Sequence, residues 1–353
     1  MNARERVLAV LNKETPDQVP IDLWLVPELV EKLKKHLGVD DEFDIYRKLN
    51  IDKIAWLGIP YKGVILKDPN EHAAVNHWGV KHQKIAANDE AGYGEVCYNP
   101  LLELDSVEQL EAYPWPNPDD FDYAAAAAEA KKLSQEFVTL GPWISIFEVY
   151  CQMRSLEEAL MDTVAEPEFL HAALDHIADS QGEMCRRFLE AAEGAIDMVF
   201  ISDDMGTQQS LLMSPSAFDE FIFPRLKKWC DMVHSFGAKV FFHTDGAAEP
   251  LIPRLIEAGI DILNPIQHVC PGMDCTELKA KYGDQLVFHG GVENQKILPF
   301  GTPEEVIAET RKCLDELGPT GYLPCSCHFA QADTPIENVI AMIETVQQYR
   351  IPS

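Results

Sequence analysis

Apolar residues recur along this chain in two rhythms, and the change between them falls near residue 135. Before it the pattern is uneven. Residues 2–13 place Val7, Leu8, Val10 and Leu11 on one side of a helix that ends at the turn signal Thr15-Pro16-Asp17. Val19-Pro-Ile-Asp22-Leu-Trp24 reads as a first strand, Pro27 to Leu37 as a helix stopped by Gly38, Glu42 to Leu49 as a helix, and Lys53 to Leu57 as a second strand. Residues 60–100 carry brief extended pieces at Val64-Ile-Leu66, Gly79-Val-Lys81 and Glu95-Val-Cys-Tyr98, broken by Asp, Asn, Gly and Pro. This predicts a hairpin-rich insertion. The run Tyr113-Pro-Trp-Pro-Asn-Pro-Asp-Asp120 is a connector, too rich in proline for a helix or central strand. The alanine run from Tyr123 to Ala130 has high helix propensity and is read as a helix.

From Phe137 onward short apolar strands end in polar or glycine-rich tips, each followed by a longer helical segment. The predicted strands are Phe137–Gly141, Met198–Ser202, Val240–His243, Ile262–Pro265, Leu286–His289 and Tyr322–Cys325. Helices are expected at Ser155–Asp162, Pro167–Ala192, Pro215–Phe236, Ala248–Ala258, Met273–Tyr282, Thr302–Leu317 and Pro335–Tyr349. With Val19–Leu23 and Lys53–Leu57 the strands number eight. Alternation with helices implies parallel strands joined by right-handed crossovers, and eight such units close as a (β/α)8 TIM barrel of the α/β class. An open doubly wound sheet is the alternative, but no Gly-x-Gly-x-x-Gly follows the first strand. The expected organisation is one domain over residues 1–353, with the insertion within 60–120.

Composition narrows the function classes. Hydrophobic residues make up 46% of the 353 and charged residues 25%, enough for a sizeable core. Acidic residues outnumber basic ones 58 to 29, a formal net charge of −29. Such a surface repels nucleic-acid phosphates and anionic membranes. The opening Met1-Asn-Ala-Arg-Glu-Arg6 lacks the apolar core of a signal peptide, and no run approaches the ~18 apolar residues that span a bilayer. A cytoplasmic location is expected. The nine cysteines, an odd and scattered number, read as thiols rather than a disulfide framework.

Chemistry collects at the strand tips, which a barrel gathers at one mouth. The tips carry Asp22 and Trp24, Trp56, Phe147-Glu148, Ser202-Asp203-Asp204, His243-Thr-Asp245-Gly246, Asn264 and Gln267, His289-Gly-Gly291, and Cys325-Ser-Cys327-His328. His243, Asp245 and His328 could hold zinc or another divalent ion, with Cys327, Cys325 or Glu148 as a further ligand. A metal-free pocket in which Asp245 orients His243 is the alternative. Adjacent strand residues face opposite ways, so one of Asp203 and Asp204 is expected to reach the mouth. Glu148 lies in a mixed apolar loop, where burial would raise its pKa and suit it to donate a proton; as a helix-start carboxylate it would face solvent. Trp24, Trp56, Trp78, Phe147 and Tyr150 could line a flat apolar pocket, or simply pack.

Several of these pieces resemble one family. Met213-Ser-Pro215, Phe221-Ile-Phe-Pro224-Arg-Leu-Lys227, His243-Thr-Asp-Gly246, Asn264-Pro265, Phe288-His-Gly-Gly291, Leu298-Pro299 with Gly301-Thr-Pro-Glu-Glu-Val306, and His328-Phe-Ala-Gln-Ala-Asp-Thr-Pro-Ile-Glu-Asn338 are similar to the uroporphyrinogen decarboxylase superfamily. That superfamily includes cobalamin-dependent methyltransferases. The opening, with Arg4 and Pro16-Asp17-x-Val19-Pro20, fits too, and the likeness thins across residues 60–135.

The resemblance implies a (β/α)8 barrel. The family's decarboxylases carry an Arg-Gln-Ala-Gly-Arg segment after the first strand to grip substrate carboxylates. Here the matching Asp22-Leu-Trp-Leu-Val-Pro-Glu28 holds no arginine, which argues against porphyrinogen decarboxylation. Its methyltransferases bind zinc through His-x-Cys and a later Cys. This chain has His243-x-Asp245 and, in the later place, His328. A His/Asp set suits polarising oxygen rather than activating a thiol. The resemblance therefore implies a methyltransferase of the O-demethylase type, moving methyl from a methoxy donor to a corrinoid carried by a partner protein. Methyl transfer from corrinoid to tetrahydrofolate or a thiol is the reverse alternative. Catalytic roles would fall to Glu148, Asp204, His243 and Asp245. The metal ligands would be His243, Asp245, His328 and Cys327, with substrate contacts from Asp22, Trp24, Trp56, Phe147, Asn264 and His289. A homodimer is compatible with this reading.

Overall fold

The computed structural model describes residues 1–64, 73–86 and 92–351. Strand β1 (Ile54–Trp56) is followed by three short strands, β2 (Ala73–Val75), β3 (Lys81–Ala86) and β4 (Gly92–Tyr98). Then come β5 (Val138–Ile144), β6 (Met198–Ser202), β7 (Lys239–His243), β8 (Ile262–Asn264), β9 (Val287–Val292) and β10 (Tyr322–Ser326). β1 and β5–β10 form one wholly parallel sheet in chain order, the topology of repeated right-handed crossovers. β2–β4 form a separate antiparallel sheet, which is the expected hairpin insertion. Ile65 and Leu66 of its first expected piece lie outside the described residues.

Between β10 and β1 runs the segment 19–25, expected as a regular strand. It occupies that place with irregular bonding. Asp22 N–H donates to Pro324 O, Ala330 N–H to Trp24 O, and the N–H groups of Asp52 and Lys53 to Ile21 O. The reason is local. Pro20 offers no donor, and the Asp22 carboxylate takes the Leu23 and Ile54 N–H groups that a ladder would use. The α/β barrel class therefore holds, with seven ladder strands and one extended segment bonded on both sides.

Alternation along the strands sorts the core into two layers. Met198, Phe200, Phe241, Ile262, Val287 and Leu323 point inward with Trp24 and Cys325. Val199, Ile201, Val240, Phe242, Leu263 and Phe288 point outward against the helices. Each such buried side chain contributes about 1.5–3 kcal/mol. The first helix, Ala3–Leu11, closes the barrel floor with Val7, Val10 and Leu11. Its Arg4 guanidinium bonds both carboxylate oxygens of Asp197 (2.5 and 2.7 Å), which precedes β6. Among the described residues no helix is long and apolar enough to cross a membrane.

Three further expectations change. β5 continues past Gly141 to Ile144; its register with β6 shifts between Leu140 and Trp143, where Pro142 offers no donor. The loop expected around Glu148 is a helix, Phe147–Arg154. The helix expected over Pro215–Phe236 contains a wider turn at Phe218–Ile222, just before Pro224, whose ring cannot sit in an unbroken α-turn.

Candidate active site

The centre of the mouth is built from the inside of the barrel outward. Inward parity carries His243 at the end of β7, Asn264 at the end of β8 and His289 in β9. Together with Asp22 they form one continuous hydrogen-bonded chain. His289 Nε2 meets Asp22 Oδ2 at 3.1 Å, Asn264 Nδ2 meets His289 Nδ1 at 2.7 Å, and His243 Nδ1 meets Asn264 Oδ1 at 2.5 Å.

The protons along this chain follow from its buried end. Burial would raise the Asp22 carboxyl, but the Lys53 ammonium at 3.1 Å and the His289 bond outweigh it and hold the acid below the usual range. Trp24 Nε1–H and two backbone N–H groups also donate to it. Burial lowers His289 despite Asp22, keeping that ring neutral. An ionised Asp22 accepts from His289 Nε2–H, so His289 Nδ1 accepts from the Asn264 amide. The Asn264 carbonyl oxygen then accepts from His243 Nδ1–H. His243 is thereby left with its Nε2 lone pair toward the mouth. Orientation of a ligand imidazole by an acceptor on its far nitrogen is the usual arrangement around metals.

His243, Asp245 and His328 come together at that lone pair, their ligand atoms all within 4.8 Å of one another. The backbone that delivers Asp245 depends on Gly246, whose φ of +82° is left-handed and whose Cβ would lie 2.4 Å from Thr207 O. Burial raises the Asp245 carboxyl and lowers the His328 imidazole. Both groups are largely desolvated. The donor set fits zinc or a similar divalent ion, with room for a further ligand.

Cys327 does not join this group. Its thiol donates to Ile266 O at 3.3 Å, and burial pushes it well above the usual thiol range. Its sulfur is not among the ligand atoms that converge at the mouth.

The two aspartates at the β6 tip divide their work. Asp203, fully buried, accepts from Ser145 Oγ and from the backbone N–H groups of Ile146, Phe147 and Glu148 at 2.7–3.1 Å. It anchors the start of the Phe147–Arg154 helix. Asp204 stays on the exposed rim, 3.8 Å from His243 Nε2, and receives the Asp245 N–H at 2.8 Å. Glu148, set by that helix start, points inward and accepts from Ser202 Oγ at 3.0 Å. Ser202 pairs with His243 across β6 and β7, so the carboxyl lies beside the cluster. Burial first, then Asp204 and Asp203, push Glu148 up to about 7 against the pull of Ser202 and His243.

Of the expected substrate contacts, Asp22, Trp24, Phe147, Asn264 and His289 are at most 1% exposed. Asp22, His289 and Asn264 form the relay, Trp24 packs in the barrel interior, and Phe147 packs in the outer layer. Trp56 is partly exposed and packs on Phe200 with ring centroids 4.5 Å apart. Phe329, next to His328, completes this aromatic floor 5.2 Å from Trp24. Its signal in the sequence was only its adjacency to His328. Trp78 packs on Trp115, away from the mouth, and Tyr150 donates to the buried Asp162. Lys53, the charge that fixes Asp22, was not legible in the sequence, nor, apart from Gln267, was an amide-rich wall. Beside Asp245 and His328 opens a cavity of about 540 Å³, lined in part by Gln208, Gln267, Asn294, Gln295 and Gln331. That volume suits a small organic molecule.

Comparison with known proteins agrees with this architecture. Residues 88–349 match the uroporphyrinogen decarboxylase (URO-D) family. A methylated-thiol–coenzyme M methyltransferase of Methanosarcina mazei is 26% identical over 206 residues, 58% of this chain and 52% of that protein. The match thus spans about half of that relative. A uroporphyrinogen decarboxylase of Prochlorococcus marinus is 26% identical over 71% of both chains. The methylcobamide:CoM methyltransferase MtaA of Methanosarcina barkeri is 24% identical over 64% of this chain and 63% of its own. A solved methyltransferase from Methanosarcina mazei superposes with a TM-score of 0.71 at 20% identity, covering 98% of each chain, and so shares the fold. With the matched region covering most of its length, the chain belongs to the uroporphyrinogen decarboxylase family.

Proposed function

We propose that the protein is a corrinoid-dependent methyltransferase that takes a methyl group from a methoxy-type donor, as in O-demethylase systems. The observation that carries this reading is the composition of the cluster at the mouth: two imidazoles and a carboxylate converge, while the Cys327 thiol, which also borders the cavity, donates to the Ile266 carbonyl and stands outside the cluster. Oxygen and nitrogen ligands favour polarising an ether oxygen. A divalent ion held by His243, Asp245 and His328 would act as a Lewis acid on that oxygen. The rest of the task falls to the chain itself. The aromatic floor of Trp56 and Phe329 packs the donor's ring. Glu148, protonated near neutral pH, gives its proton to the departing oxygen as the C–O bond breaks and the methyl passes to an acceptor presented over the mouth. That acceptor is expected to be the cobalt of a corrinoid carried by a separate protein. The location that suits this chemistry is the cytoplasm.

Among the described residues lining the cavity there is no lysine or arginine, so a polycarboxylate porphyrinogen would lack the basic side chains that grip carboxylates. The relatives named for coenzyme M support a second reading, methyl transfer from a corrinoid to a thiol. One experiment separates the readings. The purified protein is mixed with cob(I)alamin and a panel of methoxyarenes, and in parallel methylcobalamin is mixed with thiols. Growth of the methylcobalamin spectrum from a methoxyarene supports the proposal. Transfer confined to thiols would move the assignment to the second reading, and inactivity in both arms would sink it.

A further inference from the structure

Behind the barrel wall, apart from the mouth, a second group of ligand-type side chains is packed between the sheet and the helix Pro303–Leu317. His268 follows β8, and its Nε2 lies 2.5 Å from Glu309 Oε1. Glu309 and Cys313 stand four residues apart on that helix, hence on one face. The ligand atoms of His268, Glu309 and Cys313 all lie within 4.8 Å of one another. A fourth donor stands at the edge of the group: Cys275, the first residue of the helix Cys275–Tyr282, is a buried neighbour of Cys313 that lies outside the convergent three. Both cysteines are at most 1% exposed, and the side chains of His268 and Glu309 are 9% and 12% exposed.

We propose that these four residues form a structural binding site for zinc or a similar thiophilic divalent ion, with Cys275 and Cys313 as thiolates, His268 as imidazole and Glu309 as carboxylate. One sulfur, one nitrogen and one oxygen converge, and the Cys275 sulfur at the edge would close a tetrahedral set, in contrast to the thiol-free cluster at the mouth. The charge arrangement supports it. Glu316, one turn beyond Cys313, has a buried Oε2 with no hydrogen-bond partner and acts on Cys275 through its charge. Against two thiols and two carboxylates the nearby cation is Lys312. Cys275 opens the helix Cys275–Tyr282, and the start of a helix favours a thiolate. In binding, the ion takes the place of the proton shared by His268 and Glu309 and of the two thiol protons, which are released to solvent.

The position explains what such a site would do. Gln267, adjacent to His268, lines the cavity and accepts the Gly246 N–H at 2.9 Å. Glu309 also receives the Glu293 N–H at 3.4 Å, and Cys313 donates to Gly291 O at 3.4 Å. An ion here would fasten the loops after β8 and β9 to one helix from behind, holding the cavity wall in place. Without it, the same residues are an ion pair packed against two thiols.

Cobalt(II) distinguishes the two states, because thiolate ligands give an intense near-ultraviolet charge-transfer band that nitrogen and oxygen ligands do not. The metal-free protein, titrated with Co²⁺, is expected to develop this band. Cys313→Ser and Cys275→Ser are expected to lose it or weaken it by half or more, and His243→Ala to keep it. Absence of the band in the titrated wild-type protein, whose folding is not in question, would overturn the proposal. So would a band of equal strength in both serine variants. The readout is independent of methyl transfer, so its failure and that of the proposed activity are separable.

Discussion

Asn264 carries more of the site than its uncharged side chain suggests. It passes the orientation set by Asp22 and His289 to His243, donating through Nδ2 and accepting through Oδ1. Asn264→Leu keeps the volume but strands a donor on His243 and an acceptor on His289 in a dry interior. It should cost about 1–3 kcal/mol in urea unfolding and weaken divalent-ion affinity by about 10–100-fold. Unchanged affinity in that variant would show that the relay does not orient His243. Glu148 supplies a second test at this scale. Its folded pKa is raised from 4.5 to about 7 by burial and by Asp204 and Asp203, so its stabilising effect is complete below pH 4.5 and is lost as pH rises through 7. The loss amounts to roughly 3 kcal/mol. Glu148→Gln should therefore be more stable than the wild type at pH 8 by chemical denaturation, while methyl transfer falls by about 10²–10⁴-fold. In the wild type, transfer should decline as pH passes 7, when the proton to be donated is gone.

At the scale of elements, Glu148 is placed by a residue more than fifty positions away. The Asp203 carboxylate gathers three backbone N–H groups and a hydroxyl at the start of the Phe147–Arg154 helix. Asp203→Ala should cost about 1–3 kcal/mol and lower activity with it, as the helix start and Glu148 loosen together. A variant of normal stability and activity would contradict that role. This is also why the helix was not legible in the sequence: its capping group is supplied by β6, not by the preceding residue. The segment 19–25 was misread for a similar reason, since Asp22 takes ladder donors that strand periodicity counts as its own. Gly246, by contrast, was legible at once as a turn. Gly246→Ala forces a left-handed alanine whose Cβ would meet Thr207 O, which should cost at least about 1–2 kcal/mol and displace Asp245.

For the whole molecule, the barrel could be read because outward and inward layers are both apolar over β5–β10, giving short continuous runs separated by helices. Convergence of His243, Asp245 and His328 followed from that topology alone, since a parallel barrel gathers its strand tips. What the topology did not reveal is depth. Asp22, Asn264 and His289, expected as substrate contacts, are at most 1% exposed and bond one another beneath the cluster. The cluster of His268, Glu309, Cys275 and Cys313 was equally hidden, because its members come from three separate segments on the outer side of the sheet. The central claim is that the His243-centred mouth performs methyl transfer. Its most direct test is the single-turnover rate of cob(I)alamin methylation from an active methoxyarene, measured for the wild type and for His243→Ala. A loss of at least about 10²-fold is expected in the variant; an unchanged rate would contradict methyl transfer at this mouth.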